Sequence, residues 1–166
     1  MMIELKSVSK TYSAFHSAPS FQALKNVNLT IKAGDMVAVK GSSGAGKSTL
    51  LHIIGCLDRP SSGEYLLDGE RVTDMSSSKL ATLRNTCFGF VMQHFALIED
   101  DDALQNVAAP LLFSKTKLSL MDVLAMEQLR YVGIPHLAKK RVAKLSGGEK
   151  QRVAIARAIV NDPQVI

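Results

Sequence analysis

The chain has 166 residues, enough for one domain with a sizeable core, since single domains commonly run to about 100–200 residues. Hydrophobic residues make up 46% and charged residues 21%, an ordinary globular composition that excludes a disordered or collagen-like chain. Twenty Lys and Arg against fifteen Asp and Glu leave a charge of +5, a mild basicity that suggests an anionic partner without choosing one.

Glu4 and Lys6 enter before any apolar run has formed, so no signal-peptide core is present and a cytosolic chain is expected. Ile3, Leu5 and Val8, then Phe21, Leu24, Val27, Leu29 and Ile31, are spaced as half-buried strands of an opening β-layer, parted by a polar turn at 13–20. Residues 36–39 predict a short strand, 41–46 a glycine-rich loop, and 47–56 a helix. A turn at 59–63 leads to a strand at 64–68, a helix over 76–84 and a second apolar strand at 87–92, and this alternation predicts a parallel sheet. The pattern then turns helical. Asp101 or Asp102 can N-cap a helix reaching 113, whose apolar run 107–113 contains Pro110 and is far shorter than the roughly 20 residues of a membrane span. A further 3.6-residue stripe covers 118–132 and ends at Gly133. Residues 147–161 predict a helix with Val153, Ile155, Ala156 and Ile159 inward, and Pro163 separates it from a strand opening at Val165. Cys56 and Cys87 read as reduced thiols in apolar surroundings, and the scattered His16, His52, His94 and His136 predict no metal site.

Gly41, Ser42, Ser43, Gly44, Ala45, Gly46, Lys47 and Ser48 spell GxxxxGK[ST] between a predicted strand and a predicted helix, the context that motif requires. Glycine permits close backbone approach, so amides from Gly44 to Thr49 can face phosphates while the helix dipole adds to the attraction. Lys47 supplies a mobile positive charge for the β- and γ-phosphates, and the Ser48 hydroxyl is a hard oxygen suited to Mg²⁺.

The discriminating residues lie far downstream. Residues 145–158, LSGGEKQRVAIARA, resemble the signature motif of ATP-binding cassette (ABC) proteins, and the pair formed with GSSGAGKST is highly specific. A plain helix start, with Ser146 capping and glycines turning, explains the first residues but not Gln151 and Arg152. The segments 54–65 (IGCLDRPSSGEY), 88–93 (FGFVMQ) and 104–107 (LQNV) resemble most the lipoprotein-release and macrolide or peptide-export ATPases.

That resemblance implies an α/β fold: a P-loop NTPase core with a parallel sheet, an antiparallel β-layer and a helical subdomain. It implies a nucleotide-binding core over 1–92 and 153–166 and a helical part over 93–152. It implies ATP and Mg²⁺ as cofactors, with Gln93 as the Q-loop ligand of Mg²⁺ and attacking water. Ser146, Gly147 and Gly148 would act across a dimer on the nucleotide held by the other Lys47. Tyr12 matches the aromatic that stacks on adenine, with Phe15 as the spare; a strand aromatic filling the β-layer is the competing reading. The implied partners are membrane-spanning permease subunits and a second nucleotide-binding domain, with no nucleic acid. The implied location is the cytoplasm, peripheral on the inner face of the cell membrane.

The resemblance covers the first two-thirds or so of such a domain. The family's metal-shell aspartate and general-base glutamate find no counterpart in 1–166, so this stretch is expected to be impaired in hydrolysis. A nucleotide-binding module without turnover, and a soluble ABC-type ATPase of translation, stand as alternatives. The short span between Gln93 and Ser146 leaves no room for the coiled coils of DNA-repair members. Two departures stand out: Lys40 sits where the family usually has an apolar residue, either snorkelling or tuning the phosphate field, and 99–102 is unusually acidic. The acidic run either meets a basic partner helix or is a solvated loop with one capping aspartate.

Overall fold

A computed structural model describes residues 1–13 and 20–166, and their contacts divide into two compact units, Met1–Leu80 and Ala81–Ile166. The first unit is built on an antiparallel sheet in the order β2-β1-β3-β4, from β1 Ile3–Tyr12, β2 Phe21–Ile31, β3 Ser62–Leu67 and β4 Glu70–Arg71. Ile3, Leu5 and Val8 of the central strand β1 are buried. Their spacing breaks the period of two because Ser7 adopts φ +50° and the register against β2 shifts between Leu5 and Val8. This bulge returns Val8 to the buried face. Asn28 Oδ1 accepts the Ser7 N–H at 2.8 Å, so the bulged amide keeps a partner.

Residues 36–39, predicted as a strand, pair with no other strand among the described residues, and Met36 and Val37 are exposed. The run has strand-like composition, but a strand is completed by neighbours that local sequence does not specify. The helix α1 covers Lys47–Ile54, two residues short of the predicted end. It closes as a Schellman motif, with Cys56 at φ +57°, Cys56 N–H donating to Ile53 O at 3.0 Å and Leu57 N–H to His52 O at 2.8 Å. The helix α2 covers Ser77–Cys87. Cys56 is buried as expected, whereas Cys87, at the end of α2, is only half-buried.

The second unit holds α3 Ala103–Ala108, a 3₁₀ turn at Ala109–Phe113, α4 Leu118–Tyr131 and α5 Gly147–Ile159 around a shared apolar core. Asp102, rather than Asp101, caps α3: its Oδ1 accepts from Gln105 N–H at 2.8 Å and Gln105 Oε1 accepts from Asp102 N–H at 2.9 Å. Pro110 lacks an N–H and sits in the first turn of the 3₁₀ segment, so the α-helix expected to reach 113 changes type there. In α4, Met121, Ala125 and Leu129 are buried at four-residue spacing, as the stripe required. In α5 the buried set is Val153, Ala154, Ala156 and Ala158, while Ile155 and Ile159 are half-buried. Gly89 is pressed against the end of α5: a Cβ there would overlap Ala158 O and stand 3.0 Å from its carbonyl carbon. Around Gly89, where a strand over 87–92 is predicted, the structure holds a single parallel bridge, Phe88↔Val165.

Of the acidic run 99–102, Asp102 caps α3 and Glu99 pairs with Lys150 Nζ at 3.0 Å, so both ends serve local structure. Among the described residues no helix is long and apolar enough to cross a membrane.

Candidate functional site

The N-terminus of α1 differs from those of α3 and α5. The latter two are closed by capping boxes, whereas α1 starts after Gly46 with no side-chain cap and no acidic residue in its first turn; α4 is uncapped too, but only α1 follows a glycine-rich loop with a lysine folded over it. An uncapped helix start presents free amides and the positive end of the dipole, which is an anion-binding arrangement. Lys47 folds back so that Nζ donates to Gly41 O at 2.9 Å and Ser42 O at 2.7 Å. Ala45 N–H donates to Ser42 O at 3.3 Å, closing the turn over which the ammonium lies. Ser42, Ser43, Gly44, Ala45 and Ser48 are exposed and Thr49 is half-buried, so the rim of the loop is open. Gly46 has φ +83°, and a Cβ there would overlap Ala23 O and stand 2.9 Å from Leu24 Cδ2. Only glycine fits, because the loop rests directly on β2.

That seat places the loop near Tyr12. Lys10 pairs with Leu24 and Tyr12 with Phe21 across the β1–β2 ribbon, so Tyr12 stands two residues along from the point on which Gly46 packs. Tyr12 is exposed, and its hydroxyl donates to Asp58 Oδ2 at 2.9 Å. Lys10 Nζ donates to Asp58 Oδ1 at 2.6 Å and lies over the Tyr12 ring, 4.9 Å from its centroid. Partial burial is the largest single influence on the Asp58 carboxyl and works upward. Hydrogen bonds from Lys10, Tyr12 and the Arg59 N–H outweigh it and hold the carboxyl below the usual aspartate range. Sequence reading missed Lys10 and Asp58, which meet across 48 positions with no periodic signal. Phe15 lies outside the described residues.

Gln93 belongs to the second unit and sits exposed in the turn that follows the Phe88 bridge. Two and three residues later, Phe95 O and Ala96 O each accept a 2.6 Å hydrogen bond from the guanidinium of Arg157 on α5, a link that sequence reading also missed.

Ser146 caps α5: its Oγ accepts from Glu149 N–H at 3.3 Å, and Glu149 Oε2 accepts from Ser146 N–H at 2.7 Å. The Ser146 N–H is the main reason the exposed Glu149 carboxyl titrates below its ordinary range. Gly147 and Gly148 follow in the first helical turn, exposed, with no left-handed φ and nothing within 4 Å of where a Cβ would stand. The fold itself has no need of glycine at these two positions. Gly148→Ala is therefore expected to raise the stability of the chain by about 0.5–1 kcal/mol, measured by urea unfolding; a loss of stability would show a hidden packing constraint.

Among the described residues no cluster of three or more His, Cys, Asp or Glu is arranged to hold a metal ion. Mg²⁺ keeps several waters and binds nucleotide phosphates alongside a few protein oxygens. The exposed Ser48 hydroxyl, second residue of the uncapped helix, fits that habit of Mg²⁺ as one neutral oxygen ligand.

Residues 24–166 match the family model described as ABC transporter. The ABC transporter ATP-binding protein YvrO of Bacillus subtilis is 46% identical over 165 residues, spanning 99% of this chain and 71% of that protein. The dimeric structure of the ATP-binding cassette MJ0796, in a post-hydrolysis state bound to ADP and Pi, superposes with a TM-score of 0.87 at 42% identity, covering 97% of this chain and 70% of that one. CbiO1 of Clostridium perfringens, part of the ABC transporter complex cbiONQ, superposes with a TM-score of 0.79 at 30% identity, covering 97% of this chain and 62% of that one.

Proposed function

The chain belongs to the ABC transporter family and has the α/β P-loop NTPase fold of its ATP-binding cassettes, and from that premise we propose that it drives export or release of a peptide, lipoprotein or drug through membrane-spanning permease subunits. Support for export comes from the likeness of 54–65, 88–93 and 104–107 to lipoprotein-release and drug- or peptide-export ATPases. The protein works at the cytoplasmic face of the membrane, paired with a second nucleotide-binding domain, as the MJ0796 cassette is paired in its dimeric structures.

The observation that carries the reading is the uncapped start of α1 with Lys47 folded over its own loop. Carbonyl oxygens are weak partners for an ammonium, so phosphate oxygens displace them readily and gain charge-assisted hydrogen bonds. Amides from Gly44 to Thr49 then cradle the phosphates of ATP, Lys47 bridges the β- and γ-phosphates, and Tyr12 stacks on the base. Ser48 would hold Mg²⁺, which neutralises phosphate charge when bound, and the resemblance gives Gln93 the Q-loop role. Residues 1–92 and 153–166 form the nucleotide-binding core and 93–152 the helical part. Ser146, Gly147 and Gly148 serve the nucleotide of the opposing domain: glycines that the fold does not require leave room for a γ-phosphate to approach the Gly147 and Gly148 N–H groups, the two first-turn amides that the Ser146–Glu149 box does not use.

Calorimetry of ATP with Lys47→Ala tests the assignment. Affinity should fall about tenfold or more, the scale of one lost charge-assisted contact, and unchanged affinity refutes it. Residues 1–166 alone should bind ATP while releasing phosphate far below the roughly 10 s⁻¹ of a typical enzyme.

A further inference from the structure

We infer that Asp58, clamped by Lys10, is a positioning residue that fixes the Tyr12 ring as a preformed platform for the nucleotide base. This rests on the reading of Tyr12 as a base-stacking residue and adds the device that orients it. Three donors converge on one carboxylate: Lys10 Nζ at 2.6 Å and Arg59 N–H at 2.7 Å on Oδ1, and the Tyr12 hydroxyl at 2.9 Å on Oδ2. The carboxylate is itself held in place. Lys10 Nζ also donates to Arg59 O at 2.7 Å, and the Arg59 guanidinium donates to Thr73 O at 3.0 Å and Met75 O at 2.6 Å. Ser61 fastens the same loop to β1, its N–H donating to Ser9 O at 2.8 Å and its Oγ accepting from Thr11 N–H at 3.0 Å.

An exposed tyrosine at a strand end would ordinarily sample several rotamers, and ordering it on binding costs side-chain entropy. With the hydroxyl tied to Asp58 and the Lys10 ammonium over the ring, that ordering is complete before a ligand arrives. Tyrosine is required rather than phenylalanine, because only the phenol reaches the carboxylate. A base is attracted through its π-face, so the device acts on nucleotides generally and not on phosphate alone.

The test uses calorimetry of the 166-residue chain with two probes, ATP and inorganic tripolyphosphate, on wild type, Tyr12→Ala, Tyr12→Phe, Asp58→Ala, Asp58→Asn and the double variant Tyr12→Phe/Asp58→Ala. The expected result is that Asp58→Ala and Tyr12→Phe each weaken ATP by about three- to tenfold and leave tripolyphosphate unchanged. The double variant should be no weaker than the worse single, since both changes cut one link. Asp58→Asn, which keeps volume and one acceptor oxygen, should fall between. Equal losses for ATP and tripolyphosphate would show that Asp58 merely supports the fold. A full Asp58→Ala loss in the Tyr12→Phe background would show that it acts by another route; either outcome overturns the inference. If Tyr12→Ala weakens ATP while Asp58→Ala does not, the positioning role alone fails. If Tyr12→Ala leaves ATP unchanged while tripolyphosphate binds, the stacking role fails and the inference with it.

Discussion

Gly46→Ala is expected to destabilise the chain by about 2–5 kcal/mol and to abolish measurable ATP binding. Two costs combine. A non-glycine residue at φ +83° is strained by about 1–2 kcal/mol, and the new methyl group overlaps Ala23 O, a backbone atom of β2 at the irregularity between the paired residues Gln22 and Leu24, which moves only if the strand shifts with it. The neighbouring Gly44 separates the two effects. It has φ +78°, yet nothing lies within 4 Å of its would-be Cβ, so Gly44→Ala should show the strain alone. Thermal unfolding followed by circular dichroism should give Gly46→Ala a Tm about 5–15 degrees lower, against a few degrees for Gly44→Ala. Equal losses in the two variants would mean that the loop does not rest on β2.

The contrast among glycines also shows what the sequence could and could not reveal. GxxxxGKS is legible because its chemistry is local: the loop, the helix start and the lysine all lie within one short stretch. The caps are legible in part for the same reason: the sequence offers Asp101 or Asp102 for α3 and Ser146 for α5, while the reciprocal bonds of Gln105 and Glu149 three residues on come from the structure. Why each glycine is present is not legible. Gly46 is required by its contact with Ala23 and Leu24, whereas Gly147 and Gly148 meet nothing in the fold. The strand at 36–39 failed because its composition names no partner, and on α5 hydrophobicity favoured Ile155 and Ile159 although the smaller Ala154 and Ala158 are the more buried. Lys10, Asp58 and Arg157 are ordinary charged residues in sequence. Their roles come from partners 46 to 62 positions away.

Arg157 gives the second large effect. It projects from the last turn of α5, and its two terminal nitrogens donate at 2.6 Å to Phe95 O and Ala96 O. These residues have φ +60° and +48°, two consecutive left-handed conformations without glycine, which the backbone adopts only where its surroundings impose them. The stretch is also moored further along: Asn106 Oδ1 accepts from Ile98 N–H at 2.8 Å, and its Nδ2 donates to Ile98 O at 2.9 Å. Burial works against the charge on Arg157, and the two carbonyl oxygens that accept its hydrogen bonds work for it. Arg157→Ala is expected to destabilise by about 2–4 kcal/mol in urea unfolding, because two carbonyls lose charged donors and the left-handed pair loses its brace. Arg157→Lys should recover only part, since an ammonium lacks the planar fork. The pair of half-buried Lys150 with exposed Glu99 is the control, and Lys150→Ala should cost at most about 1 kcal/mol. Ala96→Gly decides whether Arg157 truly imposes the turn. In the native background it should stabilise by about 0.5–1 kcal/mol by relieving left-handed strain. In the Arg157→Ala background, where the turn is free to relax, that gain should vanish. If the gain is the same in both backgrounds, the strained turn next to Gln93 is set by something other than Arg157.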